Sequence, residues 1–232
     1  MSVLEITRIV KSYGALRAVD DVTFRLEEGD NMAIIGESGC GKTTLAKIIM
    51  GLTAPDSGSI KSQKRSLQMV FQDPYQSLDP LWNVREILKE ALCLERIPPA
   101  LMQEKMEQML VNVGLSPGDL WRFPHEFSGG ERQRIAIARS LLASPKVLVL
   151  DEAVSALDTL VQKQIMDLLR KLKRDFNLTY IFISHNLRLV KNFSEKIMVM
   201  YNGKIIEEGG AAAVLRSPSH PYTQQLLKAA YL

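Results

Sequence analysis

Cysteine is almost absent. The only two, Cys40 and Cys93, cannot build a disulfide framework and lack the paired spacing of a metal site. Cys40 reads as a small loop residue and Cys93 as helix packing. Long apolar runs are missing too. Stretches such as 146–150 and 180–183 are strand-length, well short of the ~20 residues that a membrane-crossing helix needs. The net charge of +3 is too small to argue for a nucleic-acid partner, and none is expected. The opening Met1-Ser2-Val3-Leu4-Glu5 has no basic-then-apolar leader, so the expected location is cytoplasmic. No internal repeat or low-complexity segment stands out. With 46% apolar and 24% charged residues, the chain has the composition of a globular protein able to bury a core.

The most informative stretch is Gly36-Glu37-Ser38-Gly39-Cys40-Gly41-Lys42-Thr43-Thr44. Before it, Asn31-Met32-Ala33-Ile34-Ile35 reads as a buried strand. After it, Leu45-Ala46-Lys47-Ile48-Ile49-Met50 reads as a helix stopped by Gly51. Strand, glycine loop and helix form the context of a phosphate-binding loop. The glycines let successive N–H groups turn inward onto one anion, and the helix N-terminus adds its partial positive charge there. Lys42 can reach terminal phosphates as a point charge, and the Thr43 hydroxyl can join the shell of a Mg²⁺ ion. The alternative is a glycine turn with a chance lysine, which a chain this long would match on the order of 1% of the time. The stretch is therefore read as a nucleotide site.

Around it the pattern is that of an α/β protein. Residues 2–10 and 18–26 read as strands joined by a turn at Lys11-Ser12-Tyr13-Gly14. The Tyr13 ring either caps a hydrophobic edge or stacks on a purine base. Pro55-Asp56-Ser57-Gly58 is turn chemistry, and residues 67–71 form another strand. From Trp82 to about Gly114 the periodicity turns helical, broken at Pro98-Pro99. Its methionines, Met102, Met106 and Met109, read as packing. This region is a helical insert in an α/β core.

Phe127-Ser128-Gly129-Gly130-Glu131-Arg132-Gln133-Arg134 then leads into a helix over 135–143. The Ser-Gly-Gly is either a second anion site at a helix N-terminus or a plain turn and N-cap. Val147-Leu148-Val149-Leu150 reads as a strand buried on both faces. It ends in Asp151-Glu152, where open α/β sheets put their ligands. Asp151 can hold Mg²⁺ with Thr43, and Glu152 can orient an attacking water. Ser155-Ala156-Leu157-Asp158 opens a helix to about Asp175. The strand 178–184 ends in His185, a candidate for touching a terminal phosphate. A short helix, a hairpin turning at Asn202-Gly203 and a terminal helix over 220–229 complete the chain.

Together these residues resemble the ATPase subunit of an ABC transporter over nearly the whole chain. Gly36 to Thr43 is similar to the Walker A loop, and Val147 to Asp151 to Walker B with Glu152 as the catalytic glutamate. Tyr13 stands where the family stacks adenine, and Gln72 where its Q-loop glutamine senses Mg²⁺ and the attacking water. Ser128-Gly129-Gly130 matches the signature, Asp158 the D-loop and His185 the switch histidine. The resemblance implies a P-loop NTPase core with a parallel-sheet centre, N-terminal antiparallel strands and an inserted helical subdomain at 74–143, all within one nucleotide-binding domain over 1–232. It implies ATP and Mg²⁺ as cofactors and a second such chain, identical or related, facing this one head to tail. It also implies two multi-span permease subunits, indirectly a solute-binding protein, and a peripheral place on the cytoplasmic face of the membrane. Arg132 and Arg134 would then support the signature helix rather than bind DNA.

A narrower resemblance is to the oligopeptide, dipeptide and nickel importer branch. Phe71-Gln72-Asp73-Pro74-Tyr75-Gln76-Ser77-Leu78-Asp79-Pro80 is similar to its Q-loop. Ser219-His220-Pro221-Tyr222-Thr223-Gln224-Gln225-Leu226-Leu227 is similar to its tail. Glu131 stands where the signature usually has Gln, Ala153 replaces a common proline, and the segment between Gly58 and Leu67 is short enough to trim a peripheral hairpin. The cysteine cluster of some peptide importers is absent. These departures suit a nickel or metallophore importer at least as well as a peptide importer. The rival reading is a soluble ABC-type ATPase acting on nucleic acid or ribosomes.

Overall fold

A computed structural model describes residues 1–62, 66–71, 77–93 and 98–231, with residues 230 and 231 described by backbone alone. Two sheets organise it. The first is an antiparallel sheet of β1 (Ser2–Tyr13), β2 (Leu16–Glu27) and β4 (Ser57–Ser62), with β1 in the middle. The second runs β5 (Leu67–Val70), β6 (Val147–Asp151), β7 (Thr179–Ile183), β3 (Asn31–Ile35), β8 (Lys196–Tyr201) and β9 (Lys204–Gly210). Its strands are parallel except for the β8–β9 hairpin at the edge. The expected fold class, a parallel centre with antiparallel N-terminal strands, is the one observed.

The central strands are buried on both faces, as their unbroken apolar runs require. Period-two alternation still sorts their side chains. Ala33, Ile35, Leu148 and Leu150 face one core, shared with the helices between β5 and β6. Met32, Ile34, Val147 and Val149 face another, shared with the antiparallel sheet and α1 (Lys42–Ile49). Each such side chain removed from water contributes about 1.5–3 kcal/mol. The helix after the glycine loop is thereby clamped between two sheets.

Between β5 and β6 lie α2 (Val84–Leu92), α3 (Pro99–Asn112), short 3₁₀ turns at Pro117–Trp121 and Pro124–Glu126, and α4 (Gly129–Leu142). Met106 and Met109 are buried there, as packing residues should be. Then come α5 (Thr159–Phe176), α6 (Leu187–Phe193), α7 (Ala211–Arg216) and α8 (Pro221–Tyr231). Among the described residues no helix is long and apolar enough to cross a membrane.

Three local readings are corrected. The turn expected at 11–14 is smaller, because β1 runs on to Tyr13 and pairs it with Leu16. A left-handed Arg8 (φ 52) shifts the register and hides the alternation. The turn expected at 55–58 already contains the start of β4. Its polar Ser57-Gly58-Ser59 carries no strand signal, and hydrogen bonds to β1 hold it there. Gly58 (φ 94) is needed at that bulge, since a Cβ would lie 2.4 Å from the Arg8 carbonyl oxygen. Cys93 is exposed at the C-cap of α2 rather than packed.

Candidate nucleotide site

The glycine loop follows the wholly buried β3 and is squeezed between two other strands. A Cβ on Gly36 (φ 151) would lie 2.2 Å from the Met200 carbonyl oxygen, and one on Gly41 (φ 111) 2.1 Å from that of Ala18. Only glycine fits such approaches. Helix α1 starts at Lys42 without a side-chain cap, leaving first-turn N–H groups for an anion. Glu37, Ser38, Gly39 and Thr43 are exposed along the rim, Thr44 is half-buried, and Cys40 is buried beneath. Lys42, itself 5% exposed, folds back into the loop. Its Nζ donates to the carbonyl oxygens of Gly36 (2.8 Å) and Glu37 (2.7 Å) and lies 3.6 Å from Cys40 Sγ. The cation thus sits where a phosphate would meet it.

Sheet order brings the other candidates to this end. β7 lies between β6 and β3, and Ile183 pairs with both Asp151 and Ile34. The C-terminal ends of these strands therefore emerge side by side, carrying the loop, Asp151-Glu152 and His185. Asp151 is buried, and its Oδ1 has no hydrogen-bond partner among the described residues. Burial pushes the carboxyl above its usual range, with Glu152 adding to this. A hydrogen bond from Thr43 and the charges of Lys42 and Lys47 pull the other way. An unpartnered buried carboxylate oxygen beside a threonine hydroxyl suits a hard divalent cation that takes one or two protein oxygens. Mg²⁺ fits these residues.

Glu152 adopts a left-handed backbone (φ 48), uncommon for a residue with a side chain. The surroundings enforce it. Its N–H donates to Ile183 O (3.0 Å), while its carbonyl accepts from the Ser155 N–H (3.0 Å) and Oγ (2.9 Å). Its Oε1 lies 3.0 Å from His185 Nδ1. A carboxylate and an imidazole are thus paired at the mouth of the loop. Strain of this kind, held by surrounding bonds, is found at functional positions.

Tyr13 is 51% exposed at the tip of the β1–β2 hairpin, with Lys11 Nζ 5.6 Å from its ring centroid. The Ala18–Gly41 approach ties β2 of that hairpin to the loop. Gln72 lies outside the described residues.

Ser128-Gly129-Gly130 forms a separate cluster with Asp158. Ser128 caps α4 in a box with Glu131, whose carboxylate accepts from the Ser128 N–H (2.8 Å) and Oγ (2.7 Å). Those bonds hold the Glu131 carboxyl below its usual range. Asp158 caps α5, accepting from the Leu160 and Val161 N–H groups. A Cβ on Gly130 would lie 2.5 Å from Val161 Cγ1, so the two helix starts pack closely. Among the described residues no hydrogen bond or ion pair joins this cluster to the 36–44 loop. Arg132 Nε and Arg134 donate inward, to the carbonyls of Pro124 and Val113, both at 2.6 Å. They support the helix, as expected.

One contact had no sequence signal. The Glu37 N–H donates to the Tyr222 hydroxyl (3.0 Å), 185 residues away.

The family model described as ABC transporter matches residues 19–155. The oligopeptide transport ATP-binding protein AppF of Bacillus subtilis (strain 168) is 43% identical over 94% of this chain and 71% of its own length. The probable D,D-dipeptide transport ATP-binding protein DdpF of Escherichia coli (strain K12) is 46% identical over 91% of this chain and 70% of its own. Among solved structures, the dimeric post-hydrolysis state of the ATP-binding cassette MJ0796, bound to ADP and Pi, superposes with a TM-score of 0.79. It is 25% identical and covers 90% of this chain and 98% of its own. The chain belongs to the ABC transporter family.

Proposed function

We propose that this chain is the ATP-hydrolysing subunit of an ABC importer, coupling MgATP binding and hydrolysis to uptake of a peptide through separate membrane subunits. The observation that carries the reading is the convergence at the ends of β3, β6 and β7. There a lysine-filled glycine loop, a buried carboxylate with one oxygen unpartnered among the described residues and a carboxylate–imidazole pair meet.

In this reading the loop N–H groups and Lys42 hold the triphosphate, and Tyr13 stacks on the base. Asp151 and Thr43 hold Mg²⁺, with Gln72 as a further contact. Bound there, Mg²⁺ neutralises charge on the β- and γ-phosphate oxygens. Glu152 orients the attacking water and draws on its proton, while His185 steadies Glu152 and reaches the terminal phosphate. The chain's contribution is positioning and charge stabilisation, as phosphoryl transfer requires.

A second copy or a related chain completes the site. The dimeric solved structure of the ATP-binding cassette MJ0796, bound to ADP and Pi, supports this. Each such turn would close over nucleotide held by the other chain. The whole of 1–232 acts as one nucleotide-binding domain, with 74–143 as its helical subdomain. With the Gln72 segment that subdomain receives a short cytoplasmic helix of one of two multi-span permease subunits at the cytoplasmic face of the membrane, and a solute-binding protein feeds them. The names of the relatives favour a peptide solute over nickel or a metal chelate, and none of those names mentions nucleic acid.

The test pairs MgATP hydrolysis by the purified chain with a crosslinked pull-down from solubilised native membranes. Hydrolysis lost in Glu152→Gln, with two multi-span proteins captured, is the expected result. Capture of soluble or ribosomal partners alone would overturn the transport reading and leave the ATPase chemistry standing.

A further inference from the structure

We infer that the start of the final helix is a strut for the phosphate loop and that Tyr222 is its positioning residue. The inference rests on reading residues 36–44 as a nucleotide loop.

The peptide group between Gly36 and Glu37 is gripped at both ends. Its carbonyl oxygen accepts from Lys42 Nζ (2.8 Å) and its N–H donates to the Tyr222 hydroxyl (3.0 Å). Tyr222 is itself fixed. It is 8% exposed, and its ring centroid lies 4.1 Å from that of Tyr201 at the end of β8. Its N–H donates to His220 Nδ1 (3.1 Å). The Glu207 carboxylate on β9 accepts from the N–H groups of Ser219 (2.7 Å) and His220 (3.1 Å), pinning the turn that aims the tyrosine. The β8–β9 turn adds a second brace where the Gly203 N–H donates to Cys40 O (3.0 Å).

These contacts matter most when an anion arrives. A phosphate draws Lys42 off the Gly36 and Glu37 carbonyls, freeing those peptide groups to rotate. The Tyr222 hydroxyl, accepting from the Glu37 N–H, keeps that plane in place and with it the Gly36 carbonyl against which the ammonium rests, so the loop is preorganised by the tail. The loss of one such bond is worth about three- to tenfold in affinity.

Tyr222→Phe in the full chain removes the hydroxyl and keeps the ring against Tyr201. The expected result is a KM for MgATP raised about three- to tenfold, with kcat within about twofold. Amide exchange at Glu37 should be faster, and the unfolding midpoint lower by no more than a few degrees. An unchanged KM with unchanged Glu37 exchange would overturn the strut. So would a joint fall of kcat, affinity and unfolding midpoint, which would make Tyr222 a packing residue. Lys42→Ala separates the two readings. Loss of ATP binding there beside an unaffected Tyr222→Phe defeats the strut alone, whereas retained binding in Lys42→Ala defeats the nucleotide loop and the strut with it.

Discussion

His185 Nδ1 lies 3.0 Å from Glu152 Oε1, although the two residues are 33 apart in sequence and sit at the ends of different strands. The Glu152 backbone is locked from both sides, and its carboxylate is held against His185. Glu152→Gln keeps that shape while removing the base. ATP turnover should fall by about 10²–10⁴-fold, the contribution of a positioned acid–base group, with ATP affinity retained. A nucleotide-bound dimer should accumulate, visible by size exclusion with light scattering. Turnover at the parent rate would remove Glu152 from the chemistry.

Lys42→Ala removes the cation buried in the loop. Charge-assisted bonds to phosphate are worth about 1.5–3 kcal/mol, so ATP affinity measured by calorimetry should drop about 10- to 100-fold. The Glu37 carbonyl lies at the exposed rim and can bond water, whereas the buried Gly36 carbonyl loses a partner, so the unfolding midpoint should fall modestly with the fold retained.

Asp151→Asn should separate stability from function. Burial raises the Asp151 carboxyl, so the unfolded chain gives up this proton at lower pH than the folded one. This group therefore favours the fold most below its unfolded pKa. That contribution is lost as pH rises from the unfolded value through the raised folded one. At neutral pH without nucleotide, Asp151→Asn should unfold at a higher temperature than the parent, with the gain shrinking toward pH 4. Mg²⁺-dependent turnover should fall by about a hundredfold or more, the scale of losing one preorganised electrostatic contact. A lowered apo midpoint at neutral pH would contradict the account.

Gly130→Ala tests the packing of the two helix starts. Alanine is the better helix former by about 0.8–1 kcal/mol, yet its Cβ would lie 2.5 Å from Val161 Cγ1. Overpacking of this kind costs about 1–3 kcal/mol, so the single variant should be destabilised or neutral in chemical denaturation. Adding Val161→Ala opens the space and should make the Gly130→Ala step stabilising. A Gly130→Ala effect independent of residue 161 would refute the contact.

Much of the candidate site is legible along the chain because its parts are local. A strand, a glycine loop and a helix must be contiguous to cradle a phosphate, so Gly36 to Thr44 identify themselves. Asp151-Glu152 stand out because four apolar residues run straight into two carboxylates. The segments that went unread are those whose structure is paid for elsewhere. β4 has no strand chemistry of its own and exists because β1 offers it partners. The extension of β1 to Tyr13 was hidden by a bulge at Arg8 that no period-two count anticipates.

The sequence by itself determined the element types, the phosphate-loop chemistry and the family resemblance, since periodicity, glycine placement and motif order are properties of neighbours. Tertiary structure decided which of those pieces meet. The order β6–β7–β3 sets Glu152 against His185 and leaves Asp151 Oδ1 without a partner among the described residues. The same packing brings the Tyr222 hydroxyl to the Glu37 N–H across 185 residues. Such contacts follow from strand order and helix packing, which arise from burying many side chains at once, and no short stretch of sequence encodes them.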